Sequence, residues 1–457
     1  MIDNTPMRLK QPETATPVSW LEALVFWFKL GWISFGGPAA QIAIMHQELV
    51  ERRRWISEKR FLHALNYCMI LPGPEAQQLA TYLGWLMHNS WGGVIAGLLF
   101  ILPALFILML LGWLYMAFGQ LAVVQGLLYT LKPTVIAIVF LAAYRMASRS
   151  LSHPYLVFIA VLAFLAIFFA GLPFPLIIIL AALIGALGGH YWPEVFARQS
   201  AHATHNVEKI PALIDDETPI PEHARWKLSR FVLLLFIGLM LWGGVMAVLC
   251  MQFGAESVLS QLGWFFTKVA WVTFGGAYAA LPYVQQAVVE AFHWLSAGQM
   301  MDALALGETT PGPLIMVFSF AGFVIGWKQA VFGPDQLLSS AVCATLIVTY
   351  FSFLPSFIMI LLGGPLIEST QHNLRVRSPL TGISAAVVGV IVNLAVLFAV
   401  QVFWPENLHG QFDGLAASLA AIAFLLMFRF KLGVIPVIIS AGILGGLASV
   451  LLPLWAS

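Results

Sequence analysis

The stretch KLGWISFGGPAAQIAIMHQELVERRRWISEKRFLHALNYCMILPGP, residues 29–74, recurs at residues 268–313 as KVAWVTFGGAYAALPYVQQAVVEAFHWLSAGQMMDALALGETTPGP, with one constant offset of 239. Sixteen of the forty-six positions are identical, against roughly three expected from ordinary residue frequencies. The shared set includes Lys29 and Lys268, Phe35-Gly36-Gly37 and Phe274-Gly275-Gly276, Trp55 and Trp294, and Pro72-Gly73-Pro74 and Pro311-Gly312-Pro313. The chain is therefore two copies of one unit, built from the residue types that make ion sites in lipid.

Outward from this repeat, the composition names the solvent. Of 457 residues, 60% are apolar and 9% charged, which lies far outside the soluble range and reads as a polytopic, all-α membrane protein whose partner is the lipid bilayer. The balance of 22 basic and 21 acidic residues, net +1, with the basic residues dispersed, excludes a nucleic-acid surface. Cys68, Cys250 and Cys343 are single, widely spaced and set in apolar runs, so they read as packing residues. The polar stretch Met1 to Ser19 precedes a segment holding Lys29 with no small-residue cleavage site at its end, so a removable signal peptide is not expected.

Apolar stretches of spanning length run near 18–45, 59–87, 91–118, 122–147, 153–170 and 172–191, then 231–252, 257–284, 298–327, 336–363, 379–403, 412–430 and 433–454. That makes thirteen, in two repeats of six with one extra helix between them. The intervening 193–230 carries His202, His205, Asp215, Asp216, Glu217 and several prolines, and reads as a linker, partly disordered by composition. The expected division is an N-terminal repeat over 1–192, a cytoplasmic linker plus connecting helix over 193–255, and a C-terminal repeat over 256–457. Because six is even, the extra segment sets the second repeat upside down, the inverted plan of many secondary transporters.

The basic residues test that plan, since cytoplasmic loops carry the excess of Lys and Arg. With the N-terminus inside, Arg145, Arg149, Arg198, Lys209, Arg225, Lys227, Arg230, Arg375, Arg377, Arg429 and Lys431 all fall inside, and the C-terminus is periplasmic. Arg52-Arg53-Arg54 with Lys59 and Arg60 join them only if the first two segments of each repeat dip in and return on the same side. The matching loop of repeat two, Glu290 to Gln299, would then lie outside, and it holds no Lys or Arg. Lys328 is the exception. Arg52 to Arg54 thus read as a topology anchor.

Each repeat carries two breaks, FGGP or FGGA and then PGP. Two glycines end a helix cheaply and a proline suits the first position of the next one, a place open to Pro38, Pro74 and Pro313. A half-helix that starts inside the membrane presents backbone N–H groups and the positive end of its dipole, which together suit an anion. A simple packing kink is the bland alternative. Lys29 and Lys268, six residues before each FGG, would converge across the pseudo-twofold axis on a small dianion, unless they snorkel to an interface. Gln77, Gln78, Thr309 and Thr310 add hydrogen-bonding groups. Glu75, Glu308 and His46 are the candidates for proton coupling, with a fixed counter-ion or an interfacial role as the alternative. Lys132 has no repeat partner and reads as structural, while Trp55 and Trp294 read as interface anchors.

There is no G-x-x-x-x-G-K-[ST] run, no H-E-x-x-H and no G-x-S-x-G, so neither nucleotide hydrolysis nor a metal or serine enzyme is indicated, and no cofactor is expected. Energy must come from an ion gradient or the substrate's own.

FGGPAAQIAIMHQELVERRRWISEKRF followed by LPGPEAQQLATYLGW resembles the N-terminal half of the chromate ion transporter family, and FGGAYAALPYV with ETTPGPL resembles its C-terminal half. The resemblance covers the chain except the linker and matches the long, bidomain branch. It implies a protein of the bacterial inner membrane that expels chromate, driven by membrane potential or a proton gradient, with sulfate as a competing or alternative oxyanion. A homodimer is compatible with it. A sulfate importer, an anion channel and an intramembrane chromate reductase are the rival readings, the last without any flavin, haem or metal signature.

Overall fold

The computed structural model describes residues 18–196, 212–215, 218, 221–369, 377–405 and 410–451. The first copy comprises α1 (Trp20–Ile33), α2 (Gly37–His46) with a π-helical turn at Gln47–Arg52, α3 (Glu58–Cys68), α4 (Glu75–Phe118), α5 (Ala122–Ser150), α6 (Pro154–Phe168) and α7 (Phe174–Tyr191). A short α8 (Pro193–Phe196) closes it, and α9 (Leu228–Phe253) leads to the second copy. The second copy repeats the order with α10 (Val258–Val272), α11 (Ala277–Gln285), a second π-helical turn at Gln286–Ala291, and α12 (Ala297–Glu308). It continues with α13 (Val317–Gln329), α14 (Leu337–Ser369), α15 (Arg377–Phe403), α16 (Gly414–Phe428) and α17 (Val434–Leu451).

The same local chemistry starts the matching helices. Ser57 and Ser296, identical in the repeat, cap α3 and α12 by accepting the Arg60 and Gln299 amides at 3.3 and 3.2 Å. Glycines separate the first two helices of each copy: Gly36 and Gly37 between α1 and α2, and Gly275 and Gly276 between α10 and α11, have φ of 87°, 80°, 81° and 92°, values that an L side chain resists. Hence several continuous apolar stretches are not continuous helices. The structure divides 18–45 into α1 and α2, 59–87 into α3 and the head of α4, 257–284 into α10 and α11, and 298–327 into α12 and α13. It also joins that head of α4 to 91–118, with a bend at His88 and Asn89 where φ reaches −135° and 60°. Hydropathy measures what the lipid meets, whereas these breaks are set by backbone torsions. Seven of the described helices are long and apolar enough to cross a membrane.

Contacts at the two ends of the molecule fix the path of each helix. At the near end, Arg53 reaches Glu22 at 3.3 Å and His88 meets the Val18 carbonyl at 2.8 Å. The start of α1, the end of α2 and the bend of α4 therefore share that end. The α1–α2 pair and the pair made by α3 and the head of α4 each dip in and return. At the far end, Lys328 in the last turn of α13 donates to the Trp294 carbonyl just before α12 and to Gln299 in the first turn of α12, both at 3.2 Å, and Phe253 of α9 meets Phe332. The hairpins of the second copy enter from this opposite end, so the repeats are inverted.

The described part of the linker is ordered against the near end rather than loose. Leu213 and Ile214 donate to the Arg54 and Trp55 carbonyls at 3.0 Å, and Ser57 donates back to Ile214. Arg60 bridges Glu368 and the Thr218 carbonyl, each at 2.9 Å, and Tyr82 donates to the other oxygen of Glu368. Arg198, His202, His205, Lys209, Asp216, Glu217 and Arg375 lie outside the described residues. Trp55 and Trp294 depart from the expected anchor role: both are buried, Trp55 under Phe26 and the Arg53 guanidinium, Trp294 stacked on Phe292. An indole covered by its own loop stabilises the hairpin turn instead of meeting headgroups. The three cysteines are free.

His223 pins the linker by a 3.0 Å bond to the Trp85 carbonyl. Burial pushes its imidazole below the ordinary 6.5, the bond to Trp85 partly restores it, and Arg230 pushes it down again. The folded state therefore favours the neutral ring. Its contribution is complete above the free histidine value and is lost as pH falls below it. Limited proteolysis of the linker is expected to accelerate from pH 8 to pH 5.5, and His223→Gln to flatten that dependence; equal cleavage of the parent protein at both values would contradict the assignment.

Candidate functional site

The breaks of one copy dock on those of the other. Gly73 N–H donates to the Thr273 carbonyl at 2.7 Å, and Gly312 N–H donates to the Ser34 carbonyl at 2.7 Å. Gly312 is the repeat mate of Gly73 and Thr273 that of Ser34, so a pseudo-twofold axis relates the two bonds. Each PGP also packs on the long helix of the other copy: a Cβ on Gly312 would meet the Ala104 Cβ at 2.8 Å, and one on Gly73 would meet Ser356 Oγ. Only glycine allows that approach. At both FGG turns the same bond recurs, Phe35 N–H to the Ile33 carbonyl and Phe274 N–H to the Val272 carbonyl, leaving both rings half-buried.

Around this crossing lies a polar core inside an apolar molecule. Gln41 Nε2 donates to the Gly312 carbonyl at 2.6 Å and to the Ser34 carbonyl at 3.2 Å, and Gln78 Nε2 donates to the Pro72 carbonyl at 2.7 Å. Ser34 Oγ, Gln41 Oε1, Gln77 Oε1, Gln78 Oε1 and Ser356 Oγ are buried with no hydrogen-bond partner among the described residues. A buried polar atom left unpaired costs about 1–3 kcal/mol, so five together mark a place adapted to more than packing.

The helices form two bundles. α1 to α4 and α9 to α14 pack as one, α5 to α7 and α15 to α17 as the other, and the contact between them is carried chiefly by α11 and α12. α11 lies along α15 and α12 along α5, but their repeat mates α2 and α3 have no comparable packing on α5 and α15. Gly36, Ala39 and Ala43 of the first copy are accordingly exposed, while of their repeat mates Gly275 and Tyr278 are half-buried and Pro282 is buried. The seam is closed toward the far end and open toward the near end, with the breaks as its floor.

Two arginines face this opening. Arg145 and Arg149, one helical turn apart on α5, are exposed. Arg145 is within electrostatic reach of Glu308, and Arg149 of Glu75. Glu308, just before the second PGP, also accepts the Tyr278 hydroxyl at 2.5 Å. Gly275 lies against Met146, so α5 borders the FGG turn itself. Sequence reasoning took these arginines as topology markers. Their spacing of four in an apolar helix was the available signal, which the positive-inside pattern masked.

The other sequence candidates fall in different places. Pro38 is the second residue of α2, whereas Pro74 and Pro313 stand one position before their helices, in extended conformation, because each precedes a helix rather than opening one. Pro72 and Pro311 are buried beside the docked glycines. Thr309 and Thr310 turn their hydroxyls back to the Leu306 and Gly307 carbonyls at 2.6 and 2.8 Å, so they finish α12 instead of presenting donors. Gln77 gives its amide to Thr81 at 2.9 Å. His46 is at the near end, held by Glu51 at 3.3 Å and Glu58 at 2.5 Å, away from the breaks. Lys29 and Lys268 are exposed on flanks shared with Val25, Phe28 and Trp32, and with Trp264 and Trp271, and neither has a hydrogen bond or ion pair among the described residues. The structure does not bring this pair together across the axis.

A family model described as chromate transporter matches residues 21–186 and 260–446. The chain is 30% identical to a chromate transport protein of Pseudomonas aeruginosa over 94% of this chain and 93% of that one. It is 28% identical to the chromate transport protein of Cupriavidus metallidurans over 95% and 94%, and 28% identical to a probable chromate transport protein of Synechococcus elongatus over 84% of each chain. No solved structure matches.

Proposed function

For a chain that belongs to the chromate transporter family, we propose a secondary transporter of the bacterial inner membrane that carries chromate out of the cytoplasm and also accepts sulfate. The observation that supports this most is the one-sided seam over the docked breaks. An inverted repeat whose halves differ in openness is a carrier caught facing one side, since exchanging the two conformations would expose the same floor to the other end.

The near end is the cytoplasmic one in this reading. Arg52, Arg53, Arg54, Lys59 and Arg60 gather there, and the loop between α11 and α12 at the far end holds no Lys or Arg. Chromate enters the open seam, loses part of its hydration shell, and is held by Arg145 and Arg149 above the polar core, where α2 and α11 present their N-terminal ends. Glu308 and Glu75 neutralise the two guanidinium groups until the dianion displaces them, and either can exchange a proton as it does so. Lys29 and Lys268 contribute positive potential at depth rather than direct ligation. Outward movement of a dianion gains about 4.6 kcal/mol per 100 mV of inside-negative potential, so the potential alone is sufficient to drive export and proton exchange adds to it.

Everted vesicles separate the readings. Labelled chromate is expected to accumulate inside them, with saturation, competition by sulfate, and stimulation by an imposed potential or pH gradient. Loss of preloaded label under the same gradients would make the protein an importer, and unitary currents without saturable exchange would make it a channel.

A further inference from the structure

Between the bundles, on the closed side of the seam, lies a charged cluster that the transport reading above does not use. Asp302 of α12 is 3% exposed. One carboxylate oxygen accepts the Tyr115 hydroxyl of α4 at 3.0 Å, and the other has no hydrogen bond and faces the Lys132 ammonium of α5 across 3.9 Å. That separation permits an ion pair but no hydrogen bond. The cluster therefore ties α5 of one bundle to α4 and α12 of the other where α12 packs on α5.

We propose that Asp302, Lys132 and Tyr115 form a proton-binding latch that keeps the far end closed while Asp302 is ionised and releases it when Asp302 takes a proton from the far side. The inference rests on the alternating-access reading of the seam. Its chemistry is a single transfer: a hydronium gives its proton to the unpartnered Asp302 oxygen and leaves as water. The neutral acid no longer attracts Lys132, and the two bundles lose the charge pair that joins them. Inward proton pressure thus favours the far-open state, which is where an exported anion must be released.

The other charged and titratable groups on the two helices of the cluster have partners of their own: on α5, Arg145 and Arg149 lie toward Glu308 and Glu75, Tyr129 donates to Asp413 and Tyr144 packs on Phe428, while on α4 Tyr82 donates to Glu368 and His88 meets the Val18 carbonyl. Of the elements packed on α12, α13 contributes only Lys328, which is engaged with Trp294 and Gln299. α17 and the 3-10 turn Leu314–Met316 carry none, and α15 has only Arg377, at its opposite end. On α12 itself Glu308 is bonded to Tyr278. The repeat mate of Asp302 is His63, also titratable, on the α3 that the open near end leaves unpacked from α15.

The test reads conformation separately from flux. Leu397 on α15 borders a small cavity in the far seam beside Gln285 and Asn393. A Leu397→Cys protein, with Cys68, Cys250 and Cys343 replaced by Ala, is treated in right-side-out vesicles with a membrane-impermeant maleimide at pH 5.5 and pH 8. Because maleimide reacts with the thiolate, each rate is divided by that of a fully exposed reference cysteine at the same pH, and this normalised labelling is expected to be at least several-fold faster at pH 5.5. Asp302→Asn is expected to make it fast at both values, and Lys132→Met to weaken the pH dependence while Tyr115→Phe has a smaller effect. Labelling that ignores both pH and Asp302→Asn overturns the latch even if chromate transport is normal. PH-dependent labelling in a protein that moves no chromate would instead uphold the latch and reject the substrate reading.

Discussion

The double substitution Arg145→Gln with Arg149→Gln is expected to abolish saturable chromate uptake into everted vesicles while the protein still reaches the membrane. Each guanidinium offers a planar fork of donors to a tetrahedral oxyanion, and a hydrogen bond to a charged partner contributes about 1.5–3 kcal/mol. Losing one from each arginine removes about 3–6 kcal/mol, which is roughly a hundredfold to ten-thousandfold in Kd. Both side chains are exposed, so the fold does not depend on them. Single substitutions should each raise the apparent Kd for sulfate by about tenfold or more. Lys29→Ala and Lys268→Ala provide the contrast: their exposed, unpaired side chains predict flux that is reduced but measurable. If the lysine variants are dead and the arginine pair transports normally, the anion is held by the lysines after all and α5 is only a wall.

Gly312→Val is expected to cost both stability and transport, because it disturbs one of the two paired bonds by which the breaks of the two copies dock. The glycine has a φ of 102°, and its Cβ position is 2.8 Å from the Ala104 Cβ. The backbone strain is worth about 1–3 kcal/mol, and forcing methyls into a packed contact adds about 1–3 kcal/mol more. Gly73→Val should behave alike, with a φ of 124° and Ser356 in the way. Gly37→Ala is the control, since its φ of 80° imposes strain but a Cβ there meets nothing within 4 Å. Thermal unfolding in detergent should rank Gly312→Val and Gly73→Val well below Gly37→Ala. A Gly312→Val protein as stable and active as the parent would show that the Gly312–Ser34 bond and its mate do not hold the site together.

Much of this was legible before any coordinates. The constant offset of 239 gave the duplication, the apolar composition gave the solvent, and the paired glycines marked where helices stop. Arg52 to Arg54 even argued for hairpins that return to their own side, because a basic loop resists crossing. Side-chain direction was the weak point. Lys29 and Lys268 occupy matching positions in matching helices, yet nothing in their spacing says that both face outward. Thr309 and Thr310 looked like donors until their own helix claimed the hydroxyls.

What the sequence by itself determined is local and periodic: two inverted copies, helices interrupted at glycines with positive φ, and an apolar body. Which of those interruptions touch, which end of the seam is open, and that Arg145, Glu308, Lys132 and Asp302 share it, only the tertiary structure decided. The reason is geometric. A repeat constrains each copy within itself, whereas the Gly73–Thr273 and Gly312–Ser34 bonds join residues 200 and 278 positions apart, and the difference between the two halves is a property of one conformation that identical motifs cannot encode.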